Sequence, residues 1–240
     1  MSAWLDRVDR LATSRAVCAL QARFARGGVR QGPRGASAIA LTFDDGPDPE
    51  WTPRVLDVLA AHRARATFFV VGRLAVAHAD LVRRAAAEGH EIGMHLFSHT
   101  RGVTSDDARF SAELAESISA LAEILGHAPR WLRFPYGDRG TQSPRALGAK
   151  GVDVAHWTFS SHDSFEPRPR EVVERVRRLL RPGAIVLLHD CMADWETTDG
   201  KYRRERDVTV AALPTIVELA RRRSLELVTL SALMGPPRSS

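Results

Sequence analysis

From residue 38 onward the chain alternates short, almost wholly apolar runs with longer amphipathic stretches. The runs are Ala38–Phe43, Thr67–Val71, Glu91–Met94, Trp131–Phe134, Val152–Trp157, Ala184–Leu188 and Leu225–Leu230. A strand with one wet face would alternate polar and apolar residues, so near-continuous apolar runs read as strands covered on both sides. Helical spacing between the runs predicts helices near residues 51–63, 74–88, 105–125, 143–150, 169–180 and 208–223. Strands separated by helices predict an α/β fold with about seven parallel strands, closed or partly closed into a (β/α) barrel. In such a fold, chemistry gathers at the C-terminal ends of the strands.

At 240 residues, with 44% hydrophobic and 26% charged residues, the chain suits one globular domain, and it shows no internal repeat. The net charge of +5 is carried almost wholly by arginine, Lys150 and Lys201 being the only lysines. Its clusters, Arg63/Arg65, Arg203-Arg204 and Arg221-Arg222-Arg223, lack the interleaved aromatic residues of a single-strand groove, which argues against a nucleic-acid partner. Cys18 and Cys191 stand far apart and form neither a disulfide framework nor a zinc finger. No apolar run reaches transmembrane length, and Asp6, Arg7, Asp9 and Arg10 interrupt what would be a signal peptide, so the expected location is cytoplasmic. Within residues 3–25, Trp4, Val8, Leu11, Cys18, Leu20 and Phe24 recur at helical intervals. They predict an amphipathic helix that docks on the body or makes peripheral contact with an anionic membrane. The expected division is a helix and linker over 1–37, a catalytic domain over 38–232 and a tail over 233–240.

Several polar groups fall at one predicted rim. Asp44-Asp45 follows the first run and precedes Gly46-Pro47, which forces a turn and keeps the carboxylates out of a helix cap. Adjacent carboxylates can diverge, one binding a cation while the other takes a proton from water. His95 and His99 stand at i and i+4 after the third run, where a helical turn would bring both imidazoles to one cation. With a strand-end Asp they make three protein ligands and leave a position open, the composition of a catalytic divalent site. Arg133 lies near the end of the fourth run, where it can form a surface ion pair or orient a catalytic carboxylate. His189 ends the sixth, as a core histidine or as an acid for a leaving amine.

Thr42-Phe43-Asp44-Asp45-Gly46, His95-x-x-x-His99, Arg133-Phe134-Pro135-Tyr136-Gly137 and Leu187-Leu188-His189 together resemble the ordered motifs of the polysaccharide deacetylases, the NodB-homology domain of carbohydrate esterase family 4. The resemblance implies a deformed (β/α) barrel acting on an N-acetylated sugar. It also implies one divalent ion, usually zinc, with Co2+, Mn2+ or Ni2+ as alternatives, held by Asp45, His95 and His99. By the same resemblance Asp44 is the base, Arg133 its orienting partner and His189 the acid. The backbone N–H of Tyr136 contacts the oxyanion, and Leu187 lines the acetyl pocket.

Two positions depart from the family pattern. Leu96 stands where Thr or Ser is common, removing a hydrogen bond to a neighbouring loop. Ser160-Ser161-His162-Asp163-Ser164 replaces a segment that commonly ends in Asp-Trp. Asp163 is retained as the expected partner of His189, whereas Ser164 cannot stack on a sugar, so Trp195 is expected to supply that aromatic surface. The altered segment leaves open a same-fold amidase acting on a cyclic imide or ureide. A carbohydrate-binding protein without catalysis is disfavoured because Asp44, the metal ligands and His189 are all present.

Overall fold

A computed structural model of the chain describes residues 28–100, 107–137, 147, 151–192 and 204–236. Eight strands form one sheet: β1 (Ala38–Asp44), β2 (Ala66–Val70), β3 (Glu91–Met94), β4 (Trp131–Leu132), β5 (Asp153–Val154), β6 (Phe159–Ser160), β7 (Ile185–His189) and β8 (Glu226–Leu227). Every pairing is parallel, in the order β5-β4-β3-β2-β1-β7-β6, and β8 pairs with the first residues of β1. The two ends of that order, β5 and β6, are consecutive in the chain. The sheet therefore curls until only residues 155–158 span the gap, and this is the deformation of the barrel. Val29 lies against the gap, donating its N–H to the Val154 carbonyl and accepting from His156 N–H.

Among the described residues the α-helices include α1 (Trp51–Ala61), α2 (Gly72–Ala77), α3 (Ala79–Ala87), α4 (Asp107–Leu125), α5 (Pro169–Leu179), α6 (Asp207–Arg222) and α7 (Leu230–Met234). The predicted helix over 74–88 is two helices, broken at His78 (φ −130°, ψ 49°), which leaves the helical region. The last apolar run is a two-residue strand followed by α7, because Thr229 accepts the N–H of Ala232 and caps the new helix. β6 was not anticipated. Two residues are too short to carry a periodic signal. The predicted N-terminal helix over 3–25, most of the helix over 143–150, Trp195 and the last half of the expected tail lie outside the described residues.

The period of two along each strand sorts the core into two layers. Ile39, Leu41 and Phe43 of β1, Phe68 of β2, Met94 of β3 and Leu188 of β7 pack with Val55, Leu56 and Leu59 of α1 and with Ile216 and Val217 of α6. The opposite face carries Ala40, Phe69, Trp131 and Ile185, which pack with Leu230 and Leu233 of α7. Gly93 belongs to that inner face, where a Cβ would come within 2.7 Å of the Phe69 ring. Extended by one pleat toward the C-terminal ends, the inner face bears Thr42, Asp44, His95, Arg133, Leu187 and His189. The motif residues share a rim because strand parity and strand direction put them there.

Leu56 is fully buried on α1, in the outer core layer. Leu56→Ala is expected to cost about 2–5 kcal/mol through lost transfer energy and a residual cavity. The measurement is the urea midpoint, which should fall with the slope unchanged.

Candidate active site

Asp44 ends β1, and parallel register pairs it with His189 at the end of β7. Asp45 then enters the left-handed region (φ 77°), a conformation Asp tolerates better than most residues. This turns its side chain away from that of Asp44, and the following Gly46–Pro47 peptide bond is cis. Asp45 Oδ1 lies 3.3 Å from His95 Nε2 and 3.2 Å from His99 Nε2. One ligand atom from each of these three buried residues lies within 4.8 Å of the others.

The two histidines converge, but not on a helical turn. Leu96 (φ 61°) and His99 (φ 60°) are both left-handed, and the intervening loop folds the rings to a centroid separation of 4.9 Å. Leu96 sits in the apolar core, only 1% exposed. The loop is tied down from Ser98 instead, whose N–H donates to Glu113 Oε2 on α4 at 2.8 Å and whose hydroxyl bonds Glu113 Oε1. His95 Nδ1 lies 2.8 Å from the Arg133 carbonyl, which only accepts, so a ring proton is on Nδ1 and Nε2 is turned toward Asp45. An oxygen and two imidazole nitrogens, converging and buried, with one ring orientation fixed from behind, fit a divalent ion. Burial would push Asp45 up, but hydrogen bonds from His95 and His99 outweigh it and hold the carboxyl well below its usual range.

Asp44 is held separately. Its Oδ1 accepts from Arg133 Nη1 at 2.7 Å, while Oδ2 lies 3.8 Å from His95 Nε2. Arg133 is fully buried, donates also to Thr42 Oγ1 and to the His156 carbonyl, each at 2.8 Å, and lies 4.1 Å above the Phe69 ring. This is a buried ion pair inside the barrel rather than the surface pair that sequence alone allowed.

Across the rim, His189 Nδ1 lies 3.0 Å from Asp163 Oδ1. Asp163 also accepts from Ser161 Oγ (2.8 Å), the His189 N–H (2.8 Å) and Thr209 Oγ1 (2.7 Å), the last on the first turn of α6. Burial works against both charges, yet the attraction of Asp163 raises His189 to about 9 and that of His189 lowers Asp163 to about 2. Tyr136 (φ 60°, ψ 9°) rests its ring 4.9 Å from that of His99, and Leu187 is 6% exposed on the inner face. Ser164 is buried and presents no surface. The aromatic group of that segment is Phe165, 37% exposed, with its ring 4.6 Å from that of His162.

Sequence reasoning did not single out Thr42, Thr52, Ser161, Phe165, Asp190 or Thr209. Phe165 left a signal, an aromatic two places after Asp163. Thr52 and Thr209 left none, since their partners are 138 and 46 positions away. Asp190 lies beside His189 in sequence. Burial raises its carboxyl to about 7, Asp45 and Asp48 adding to the shift while Thr52 opposes it.

A buried donor set beside a second, arginine-held carboxylate, on the C-terminal rim of a parallel barrel, is an arrangement that fits hydrolysis assisted by a divalent ion. Residues 31–155 match the family model for polysaccharide deacetylase, and the chain belongs to that family of metal-dependent hydrolytic N-deacetylases. It is 39% identical over 201 residues to a chitooligosaccharide deacetylase of Bradyrhizobium sp. (strain ANU 289), covering 83% of this chain and 91% of the relative. Among solved structures, a peptidoglycan N-acetylglucosamine deacetylase in complex with an N-oxidanyl-benzamide superposes with a TM-score of 0.79 at 28% identity, over 85% of this chain and 91% of that one. A family 4 carbohydrate esterase from Streptomyces lividans in complex with acetate gives 0.68 at 27% identity, over 80% and 91%. Among the described residues no helix is long and apolar enough to cross a membrane.

Arg133→Met removes one partner of a buried pair and strands the Asp44 carboxylate, so a loss of about 3–5 kcal/mol is expected. Urea unfolding checks it, and a loss below about 1 kcal/mol, the range of an exposed pair, would show that the pair is not desolvated in solution.

Proposed function

We propose that this protein removes the acetyl group from an N-acetylglucosamine unit of a chitin-type or related oligosaccharide, releasing acetate and a free amine, with zinc held by Asp45, His95 and His99. The convergence of those three side chains, with Asp44 against them but bound to Arg133 instead, carries the reading: one carboxylate serves a cation and its neighbour stays available for a proton. The names of the relatives support the sugar, since both chitooligosaccharide and peptidoglycan N-acetylglucosamine deacetylases align over most of this chain.

When bound, the ion supplies Lewis acidity that polarises the acetyl carbonyl and lowers the pKa of water beside it. Asp44 Oδ2, the oxygen Arg133 leaves free to act, takes a proton from the attacking water, and the Arg133 bond to Oδ1 aims the carboxylate. The water oxygen bonds to the acetyl carbon while the backbone N–H of Tyr136 donates to the developing oxyanion. His189, with Nδ1 held by Asp163, delivers a proton from Nε2 to the sugar nitrogen as the C–N bond breaks. Leu187 lines the space for the acetyl methyl. Phe165 offers the sugar the apolar surface that Ser164 cannot.

Acetate release from a chitooligosaccharide should stop on chelation and return with Zn2+ or Co2+. Asp44→Asn and His189→Ala should each lower kcat by at least about 10²-fold while retaining one metal ion per chain. Ring opening of a cyclic imide without acetate release would instead identify an amidase.

The acid must carry its proton, so the rate should fall as pH rises through the pKa of His189, raised to about 9. Asp163→Asn removes the charge that raises it. The alkaline limb of the pH profile of kcat/KM should therefore move to lower pH, and an unmoved limb would count against His189 as the acid.

A further inference from the structure

Asp190 follows His189 and is buried at 1% exposure, yet the chemistry above does not use it. Its Oδ2 accepts the Thr52 hydroxyl at 2.6 Å, and Oδ1 has no hydrogen-bond partner among the described residues. On its other side the carboxyl presses on Gly46. A Cβ there would lie 2.3 Å from Oδ2, 2.6 Å from Oδ1 and 2.7 Å from Cγ. Gly46 has no left-handed φ, so glycine is required at this position for the approach of Asp190 and not for its backbone conformation.

The contacts continue on both sides. Thr52 Oγ1 also accepts the Asp48 N–H at 2.8 Å, and Asp48 Oδ1 accepts the N–H groups of Glu50 and Trp51 at the start of α1. The Asp190 N–H reaches the Asp44 carbonyl at 3.4 Å, extending the β1–β7 ladder one step beyond the strands. Asp190 thus touches both edges of the turn that presents Asp44 and Asp45, from the residue next to His189.

The geometry points to Asp190 as a positioning residue: its carboxyl, clasped between Gly46 and the Thr52 hydroxyl, fixes the β1 turn bearing Asp44 and Asp45 against the β7 end bearing His189. A side chain at this place, one residue from the acid and one contact from the metal-bearing turn, acts through both without touching substrate. Displacing such a group by an ångström is enough to lower a rate while substrate binding is kept. The inference rests on the deacetylase reading of the rim.

Full-length Asp190→Asn, Asp190→Ala and Thr52→Val are compared with wild type in three measurements: Co2+ affinity by chelator competition, kcat and KM on a chitooligosaccharide, and the thermal midpoint. Asp190→Ala and Thr52→Val should each weaken Co2+ binding and lower kcat by about ten-fold or more, with KM within about three-fold, the size of effect seen when a group supporting metal ligands is lost. Asp190→Asn keeps an oxygen for Thr52 in the same volume and should stay within about three-fold of wild type in all three. If Asp190→Ala does not fold, Thr52→Val, nearly isosteric, carries the same comparison. Lowered thermal midpoints with unchanged Co2+ affinity and kcat would reduce the clasp to a structural contact and overturn the inference. So would an Asn variant as impaired as Ala. Failure of the wild type to bind Co2+ stoichiometrically overturns the deacetylase reading and this one with it, whereas wild-type binding with unresponsive variants overturns the clasp alone.

Discussion

The buried guanidinium of Arg133 is the interaction on which the rest of the rim depends. A cation taken wholly out of water costs several kcal/mol unless it is paired and hydrogen-bonded. Here one nitrogen serves Thr42 and Asp44 on β1, while another serves the His156 carbonyl in the segment between β5 and β6. One side chain thus joins the middle of the sheet to the gap where the barrel fails to close. Its own carbonyl orients His95, so the residue that restrains Asp44 also sets an imidazole of the candidate metal site. Thr42 passes the chain of bonds on to the Val186 carbonyl of β7.

Around this centre each charged group has a dedicated counterpart, which keeps the two carboxylates of the turn distinct. Asp45 faces two imidazoles and Asp44 faces a guanidinium, so the two side chains meet different partners although they are adjacent in the chain. Asp163 is saturated by four hydrogen bonds and stays ionised, and its charge keeps a proton on His189. Arg206, wholly buried at the N-terminal end of α6, adds a further positive charge that lowers Asp163. The Arg133-held carboxylate and the Asp163-held imidazole therefore end neighbouring strands, each with its own counter-charge.

The fold was legible where the physical signal is local and repeated. Runs such as Ala38–Phe43 and Ala184–Leu188 appear as strands within a residue or so, because a strand buried on both faces must be apolar throughout. β6 and the break at His78 were not legible, since two residues carry no period and a single non-helical residue interrupts none. His95 and His99 do share a centre. The route is a loop with two left-handed residues, one of them a leucine anchored in the core, and helical spacing could not have foretold it.

By itself, the sequence determined the strand–helix alternation, the parity that puts Asp44, His95, Arg133 and His189 on one face, and the family whose motifs those residues complete. These follow from chain-local quantities: hydrophobic period, strand direction and residue type. Only the tertiary structure decided that Arg133 is wholly desolvated, that Phe165 is exposed where Ser164 is buried, and that Thr52 bonds Asp190 and Thr209 bonds Asp163. Each of those outcomes is a contact or a burial between segments far apart in the chain, and no local pattern records which distant side chain will fill the space beside a given carboxylate.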